Sequence, residues 1–445
     1  MKPELFGLLD LIIGFGWFIL IVVIGLYFRL RNRDKPHFKY FMPLLFFKLG
    51  FAFLFGLAYA VVIEDGGDTL AYWDGAVKLN QLFWDSPTNY LIELSSTPTS
   101  ETITDRFNLS TGYPPSWIYI ESESFFVCKI ISVFTFFTLN SYLALTFVIS
   151  IFAVMTSWKF YELVKDFKFC PNWVLVFATL FIPTVAFWCS GLSKDTLVLG
   201  ALLMLLYHLF NLITGKKKFN LSRLFLILFS LFLLYNLRSF MIIAVFTPLI
   251  IAVGVRLIKS ISQNKVLVYG VKALLYSLAI IVVLYFMGFL GGEGIEGSKY
   301  LKEVANIQKD FAQNKLYTGY RYDLGITDYS TTGMLLASPI AIITAFFRPF
   351  IWEANSVFLI ISGLEGLILL FFVFRFFFLN GNFLKHLAFI RSQEFLIFSI
   401  IFVLLLGFFV GFTSGLFNVL VRFKAPLMVF LFIFFASRRP RKIEG

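Results

Sequence analysis

Charged residues are scarce in this sequence of 445 residues. Asp, Glu, Lys and Arg make up only 14% of it, against about a quarter in a typical soluble protein. Cysteine is also scarce, and Cys128, Cys170 and Cys189 have the spacing of neither a metal site nor a redox pair. The chain has no P-loop, HExxH, DxD or CxxC motif. These absences argue against a soluble globular enzyme, against zinc-dependent hydrolysis and against soluble nucleotide-sugar chemistry.

Apolar residues dominate instead, with 59% hydrophobic and 20% aromatic residues. Apolar runs of roughly 20 residues, the length of a membrane-spanning helix, recur along the chain. The net charge is +12, but the basic residues form short clusters between the apolar runs, as the positive-inside rule describes. The composition therefore predicts an all-α polytopic membrane protein that contacts lipid and binds no nucleic acid. No signal peptide is expected, because no small-residue cleavage site follows the first apolar run.

The lengths of the runs and the distribution of Lys and Arg predict about eleven crossings in a single integral membrane domain, residues 1–445. The N-terminus is expected outside and the C-terminus in the cytoplasm, with the protein in the inner membrane. The predicted spans are about Leu11–Phe28, Phe41–Ile63, Asn140–Trp158, Trp173–Trp188, Thr196–Thr214, one ending at Arg238, one ending near Arg256, then Val266–Leu290, Asn355–Phe378, Phe395–Phe412 and one ending near Ala436.

Two sizeable extracytoplasmic loops with interfacial helices are predicted, over residues 64–139 and 291–354. The first is acidic, because residues 64–123 contain ten acidic and two basic residues, a net charge of −8. Its second part, Tyr113–Leu139, is predicted to be a partly embedded interfacial helix. The second loop contains "YTGYRYD", whose aromatic rings suit either a sugar or lipid headgroups, and the short apolar stretch Met334–Phe347 is predicted to dip into the membrane.

The first loop opens with "EDGGDTLAYWDGAVKLNQLFW", which has two interpretations. Asp68 could be a helix N-cap, at the start of an amphipathic helix lying in the headgroup plane. Alternatively, a carboxylate at the outer edge of the bilayer could take the proton from an attacking sugar hydroxyl. Asp68 is the best candidate for this base, and Asp65 and Asp74 are the alternatives.

Four short segments carry a family resemblance. They are "GGDTLAYW", "WCSGLSKDTLVLGALL", "FRPFIWEA" and "RFKAPLMVFLFIFFA". In this order the chain resembles the GT-C superfamily of membrane glycosyltransferases and the Wzy-type polysaccharide polymerases of the bacterial envelope. The resemblance implies transfer of a sugar from a polyprenyl-phosphate donor to an envelope glycan or lipid acceptor. It also implies that Tyr72 contacts substrate. No cofactor is expected, and a divalent metal is left open.

A lipid-phosphate substrate requires cations where the phosphate leaves. The cations expected on the outer side are Lys194, Arg238, Arg348, Arg422 and Lys424. We expect these cations to share one pocket with Asp68, with Arg422 as the favoured phosphate contact. Competing interpretations make Lys194 part of a local pair or cap with Asp195, and Arg238 an interfacial anchor. Arg348 could form an ion pair with Glu353 in an aromatic-lined setting near Trp352.

Glu365 lies near the middle of the ninth predicted span, where a charge is expensive. We favour a structural ion pair with Lys48, Arg422 or another inward-facing base over a catalytic role. Two other functions remain open: a transporter or flippase of lipid-linked glycans, and a non-catalytic scaffold. A transporter would often show inverted repeats, and the sequence has no evident internal repeat.

Overall fold

The computed structural model describes residues 5–63, 66–260, 266–270, 273–274, 277, 306, 320–325, 331–379 and 383–438. Its regular elements are helices, and the one pairing of extended segments is an isolated antiparallel bridge between Arg321 and Leu416 within these ranges. The predicted all-α class is confirmed. Asp65, most of the predicted span Val266–Leu290 and most of the second loop before residue 320 lie outside the described residues.

The helices are labelled in chain order. In the first half they are α1 Leu8–Arg31, α2 Phe41–Leu57, α3 Gly67–Asp85, α4 Pro87–Ser95, α5 Ser100–Arg106, α6 Ser116–Ile120, α7 Ser122–Thr138, α8 Tyr142–Val164, α9 Asn172–Leu180 and α10 Pro183–Trp188. The others are α11 Lys194–Ile213, α12 Leu221–Leu237, α13 Phe240–Ser260, α14 Thr331–Phe347, α15 Val357–Phe374, α16 Phe383–Arg391, α17 Glu394–Thr413, α18 Phe417–Phe423 and α19 Ala425–Phe435.

Seven helical segments of the described chain are long and apolar enough to cross a membrane. They are Leu8–Arg31, Pro36–Val62, Tyr142–Phe167, Lys194–Ile213, Phe240–Leu257, Val357–Leu379 and Glu394–Thr413. An eighth results if α18 and α19, which meet at a bend of 60°, form one span. The chain is therefore a multi-pass membrane protein.

Proline accounts for three departures from the predicted helices. The predicted span Trp173–Trp188 is two helices, because Pro183 begins α10 and the residue before a proline disfavours helical geometry. The predicted interfacial helix Tyr113–Leu139 begins only at Ser116, after Pro115, and a separate, extended residue, Glu121, divides it into two helices. The last span bends at Lys424, because Pro426 lies in the first turn of α19.

The chain divides into two compact units, each made of separate stretches. Unit 1 contains Met1–Phe160, Val185–His208 and Phe219–Arg238, and unit 2 contains Tyr161–Thr184, Leu209–Lys218 and Ser239–Gly445. In unit 1 the main packing is of α3 against α7, and α12 also contacts α7.

In unit 2, α17 contacts α13, α14 and α19. Each residue of α19 is buried, as expected for a helix that is apolar on all sides. Its Phe430 ring lies 4.8 Å from that of Phe402, centroid to centroid. This aromatic core positions the turn before α19, which carries Lys424.

Candidate functional site

The N-terminal turn of α3 presents Asp68. Gly66 is the N-cap and has a left-handed φ of 68°, and Gly67 has a φ of 48°. Asp68 is therefore the second residue of the helix, and the prediction that it could be the N-cap is wrong. A Cβ atom at Gly66 would come within 2.1 Å of Leu70, so this turn requires glycine for both its backbone angle and its packing.

Three side chains fix α3 to the rest of unit 1. The Thr69 and Tyr142 hydroxyl oxygens are 3.3 Å apart. The Trp73 indole N–H donates to the Asn140 carbonyl oxygen at 2.8 Å, and Asn80 donates to the Thr135 hydroxyl at 3.1 Å. Asp68 thus extends from a well-anchored helix, which suits a group that must be held in position.

The other α3 candidates differ in exposure. Asp68 and Asp74 are half-buried, whereas Tyr72 is only 2% exposed. A buried Tyr72 is better placed to support the fold around Asp68 than to touch a large substrate directly. Asp65 cannot be placed, because it lies outside the described residues.

Four charged residues of unit 1 form a network that we call the Asp195 cluster: Glu123, Lys194, Asp195 and Arg238. The Arg238 guanidinium lies 2.6 Å from the Asp195 carboxylate, and both side chains are less than a tenth exposed. Lys194 forms a 2.5 Å ion pair with Glu123. Lys194 also interacts electrostatically with Arg238 and Asp195, so the two pairs are coupled.

The Asp195 cluster decides between the alternatives for these residues. Lys194 forms its ion pair with Glu123, about 70 positions away in the sequence, and its charge is coupled to that of its neighbour Asp195. The side chain that caps α11 is Ser193, whose hydroxyl accepts from the Thr196 N–H at 3.1 Å. Arg238 is buried in an ion pair rather than acting as an interfacial anchor. The cluster brings together two of the predicted cations, each with a carboxylate partner.

In unit 2, Arg348 forms the centre of a second group, which we call the Arg348 cluster: Tyr322, Arg348, Glu353, Phe417 and Lys424. The Arg348 Nε donates to the two carboxylate oxygens of Glu353 at 2.9 and 3.2 Å, and Nη2 donates at 2.5 Å. The ion pair expected from the sequence is present. Its aromatic lining is different, because Trp352 is 78% exposed and stacks on Phe350.

The guanidinium lies against the Tyr322 and Phe417 rings, with its carbon 5.2 Å from each ring centroid. Such cation–π contacts favour a flat, fixed guanidinium. Main-chain hydrogen bonds between the two segments hold the rings in place, from Tyr322 to Gly415 at 3.2 Å and from Phe417 to Tyr320 at 3.0 Å.

The charges in this cluster modify one another. Burial favours the neutral form of Glu353, but the Arg348 guanidinium and the Phe350 N–H outweigh it and hold the pKa of Glu353 below its usual value. Burial raises the pKa of Tyr322, although the charge of Arg348 and the Ser414 hydroxyl act in the opposite direction. At neutral pH the cluster therefore contains an ionised carboxylate and a neutral phenol.

Lys424 supports the cluster from inside. Its side chain is fully buried, and its ammonium donates to the Arg348 carbonyl oxygen at 2.9 Å. The ammonium also interacts electrostatically with Glu365. The Glu365 carboxylate accepts from the Thr184 N–H at 2.8 Å and from the Thr184 hydroxyl. Lys424 is thus the base that acts on Glu365 electrostatically, but the two form no direct ion pair in the described structure, and the contacts that replace the expected ion pair are the hydrogen bonds from Thr184.

The Arg348 guanidinium can still bind a ligand. Its Nη1 donates to no acceptor in the part of the chain that the structure describes, and 22% of its side chain is exposed. Lys424 has no exposed surface, so it holds Arg348 in place rather than meeting a substrate. Arg422 lies in the last turn of α18 and is half-buried.

The predicted site residues therefore form two groups, one in each unit. Unit 1 contains Asp68, Tyr72, Asp74 and the Asp195 cluster, and unit 2 contains the Arg348 cluster and Arg422. That Asp68 shares a pocket with the cations of residues 348–424 stays a prediction. Across the described ranges, no group of three or more His, Cys, Asp and Glu side chains could hold a metal ion.

Sequence reasoning did not single out one buried ionic network in unit 1. Glu93 is fully buried and pairs with Arg106 and, at 3.4 Å, with Lys129. Burial lowers the pKa of Lys129, and the Glu93 carboxylate opposes that effect. A signal was available, because Lys129 is the one charged residue in the apolar stretch 124–158. Thr184, the partner of Glu365, has no comparable signal in the sequence.

Comparison with known proteins adds no family to these observations: no family model, no curated protein and no solved structure matches the chain significantly.

Proposed function

We propose that this protein is a membrane glycosyltransferase that moves a sugar from a polyprenyl-phosphate donor to an envelope glycan or lipid acceptor. The observation that carries the proposal is the Arg348 cluster. A guanidinium clamped by Glu353 and two aromatic rings, with free N–H groups and an exposed edge, suits the oxygens of a phosphate ester. Its rigidity limits the reorganisation needed as negative charge develops on a leaving phosphate.

Asp68 supplies the base in this proposal. The acceptor hydroxyl oxygen attacks the anomeric carbon of the donor, and the bond from that carbon to the phosphate oxygen breaks. The hydroxyl proton goes to the Asp68 carboxylate, and the bonding electron pair leaves with the phosphate, next to Arg348. A phosphate is a good leaving group and needs no strong general acid, so one carboxylate is sufficient. Asp65, Asp74, Lys194, Arg238 and Arg422 would position the substrates, and the buried Tyr72 would support the fold around Asp68.

The finer topology belongs to the same proposal. The seven or eight spanning segments, together with the shorter apolar helices Asn172–Trp188 and Leu221–Leu237, support about eleven crossings when the predicted span Val266–Leu290 is included. With the N-terminus outside the inner membrane and the C-terminus in the cytoplasm, Asp68 lies at the beginning of the first outer loop and Arg348 near the end of the second. Cysteine-accessibility labelling at Ser100 and at Lys216 tests this, because we expect only Ser100 to react from outside intact cells.

Substitution of Asp68 by Asn tests the function. In cells whose own copy is replaced by the variant, we expect lipid-linked sugar to accumulate and the product glycan to fall by about 10²-fold or more, as for loss of a general base. The matched control is Asp85→Asn, an exposed carboxylate at the other end of the same helix, which should keep most of the product. A normal glycan profile from Asp68→Asn, at a normal protein level, would remove Asp68 as the base.

The same assay separates the rival functions. A Wzy-type polymerase would transfer whole oligosaccharide units, so its loss would leave single repeat units in place of long polymer. If the protein is instead a flippase, it should move labelled lipid-linked glycan across the bilayer of reconstituted proteoliposomes. Such movement, unchanged in Asp68→Asn, would replace the transferase proposal by transport, whereas a scaffold would show neither activity.

A further inference from the structure

A cavity of about 480 Å³ is lined by residues of unit 1 that belong neither to the Asp195 cluster nor to the turn that carries Asp68. Its walls are the segment that joins α4 to α5, the beginning of α7 and the end of α12. The lining residues are Leu94, Ser95, Ser96, Thr97, Pro98, Ser122, Phe126, Lys129, Phe232 and Asn236. Its volume is in the range of sites for small organic ligands, roughly 300–1,000 Å³.

The buried ionic network described above makes one wall rigid. The Arg106 guanidinium donates to the Ser96 hydroxyl at 2.6 Å and pairs with Glu93. The Lys129 ammonium donates to the carbonyl oxygens of Glu93 and Ser96 at 2.5 and 2.7 Å. The Glu93 carboxylate lies 3.4 Å from the same ammonium. The Lys129 ammonium is therefore already held by contacts within the protein.

The groups left for a ligand are neutral. Within the described chain, the hydroxyls of Thr97 and Ser122 and the Oδ1 atom of Asn236 have no hydrogen-bond partner, while the Asn236 amide donates to Phe232. The Phe126 and Phe232 rings, which also line the cavity, meet edge to face with centroids 5.4 Å apart. A lining that combines hydroxyl and amide groups with apolar rings matches the alternating hydroxyl and C–H surfaces of a sugar.

We propose that this cavity binds an uncharged glycosyl group. A phosphorylated or carboxylated sugar would require a free cation, whereas the ammonium of Lys129, the cationic side chain in the lining, is already directed at Glu93 and at the Ser96 carbonyl oxygen. The inference rests on the proposed transferase function, for which it names the acceptor's binding site: the acceptor is a neutral glycan held by Thr97, Ser122 and Asn236.

Saturation-transfer NMR on the full-length protein in nanodiscs tests the proposal. The neutral probes are the methyl glycosides of glucose, galactose and N-acetylglucosamine, and the charged comparator is glucose 1-phosphate. Two variants alter the cavity: Ser122→Trp fills it, and Asn236→Leu replaces the amide by an apolar group of similar branched shape. The matched control is Ser100→Trp, because Ser100 is an exposed residue of the nearby α5 that does not line the cavity.

We expect saturation transfer to at least one neutral glycoside with the wild type and with Ser100→Trp, and binding about tenfold weaker in both cavity variants. Nanodiscs doped with a glucosyl lipid identify the source, because displacement of the soluble glycoside would indicate a glycolipid headgroup rather than a free glycan. Equal signals in all variants, a signal from glucose 1-phosphate alone, or no signal with the wild type would overturn the proposal.

The outcome is independent of the test of Asp68. Asp68→Asn should bind the glycoside as well as the wild type does, even if it makes no product. Loss of product in Asp68→Asn without saccharide binding at the cavity would leave the transferase proposal standing and reject this site. Binding at the cavity with a normal glycan profile in Asp68→Asn would do the reverse, leaving a saccharide-binding membrane protein.

Discussion

The buried ammonium of Lys424 donates a 2.9 Å hydrogen bond to the main-chain carbonyl oxygen of Arg348, 76 residues earlier in the chain. The bond connects the turn between α18 and α19 to the end of α14, where the guanidinium of Arg348 meets Glu353. Because Lys424 also faces Glu365, one buried cation links the interior of unit 2 to the group that we propose binds phosphate.

Replacement of Lys424 by Met should destabilise the protein, since it leaves Glu365 buried without a counter-charge. Removing one partner of a direct buried ion pair costs about 3–5 kcal/mol. Glu365 keeps its hydrogen bonds to Thr184, so the cost should lie below that range, and the midpoint of thermal unfolding in detergent should fall. The double variant Lys424→Met with Glu365→Gln should regain much of that loss. An equally unstable double variant would show that Lys424 acts mainly through its bond to Arg348.

The Arg348–Glu353 pair should make stability depend on acidity. The pKa of Glu353 is lowered in the folded protein from its usual 4.5, so the pair stabilises the fold fully above that value. The contribution is lost as the pH falls through the lowered folded-state pKa.

Glu353→Gln should therefore be less stable than the wild type at pH 7, by about 1 kcal/mol for a partly exposed pair. The difference should shrink below about pH 4.5. Thermal unfolding of both proteins across this range measures it. A gap that stays constant down to the most acidic pH tested would mean that Glu353 is not the titrating partner.

The buried pair Asp195–Arg238 should show strong coupling in a double-mutant cycle. Asp195→Asn and Arg238→Met should each cost about 3 kcal/mol, whereas the double variant should cost far less than their sum. The control cycle uses Asp166 and Lys216, an exposed pair at 3.3 Å, whose coupling should be between about 0 and 1 kcal/mol. Similar coupling in both cycles would contradict the burial of the Asp195 cluster.

Gly66→Ala should destabilise the start of α3 more than Gly215→Ala destabilises its own turn. Both glycines have nearly the same φ, 68° and 69°, so both variants carry a backbone penalty of about 1–2 kcal/mol. Only at Gly66 would the new methyl group meet Leu70, whereas nothing lies within 4 Å at Gly215. The extra cost should be about 1–3 kcal/mol, measured by thermal unfolding, and equal costs would show that Leu70 moves aside freely.

Local sequence determined the helical class, the multi-pass character and most of the spanning segments, because each depends on composition over about 20 consecutive residues. The Arg348–Glu353 pair could also be predicted from the sequence, because its members are only five positions apart. Pro183 and Pro426 are present in the sequence at the break and at the bend. The predicted helices run through both positions and are therefore too long or too straight there.

Partners distant in the sequence were decided only by the tertiary structure. Nothing near Glu365 indicates Thr184, nothing near Lys194 indicates Glu123, and the rings around Arg348 come from Tyr322 and Phe417 rather than from the adjacent Trp352. A charge buried among apolar helices must find whichever opposite charge or dipole the packing brings near it. Sequence shows that such a charge exists, whereas the packing of the helices selects its partner.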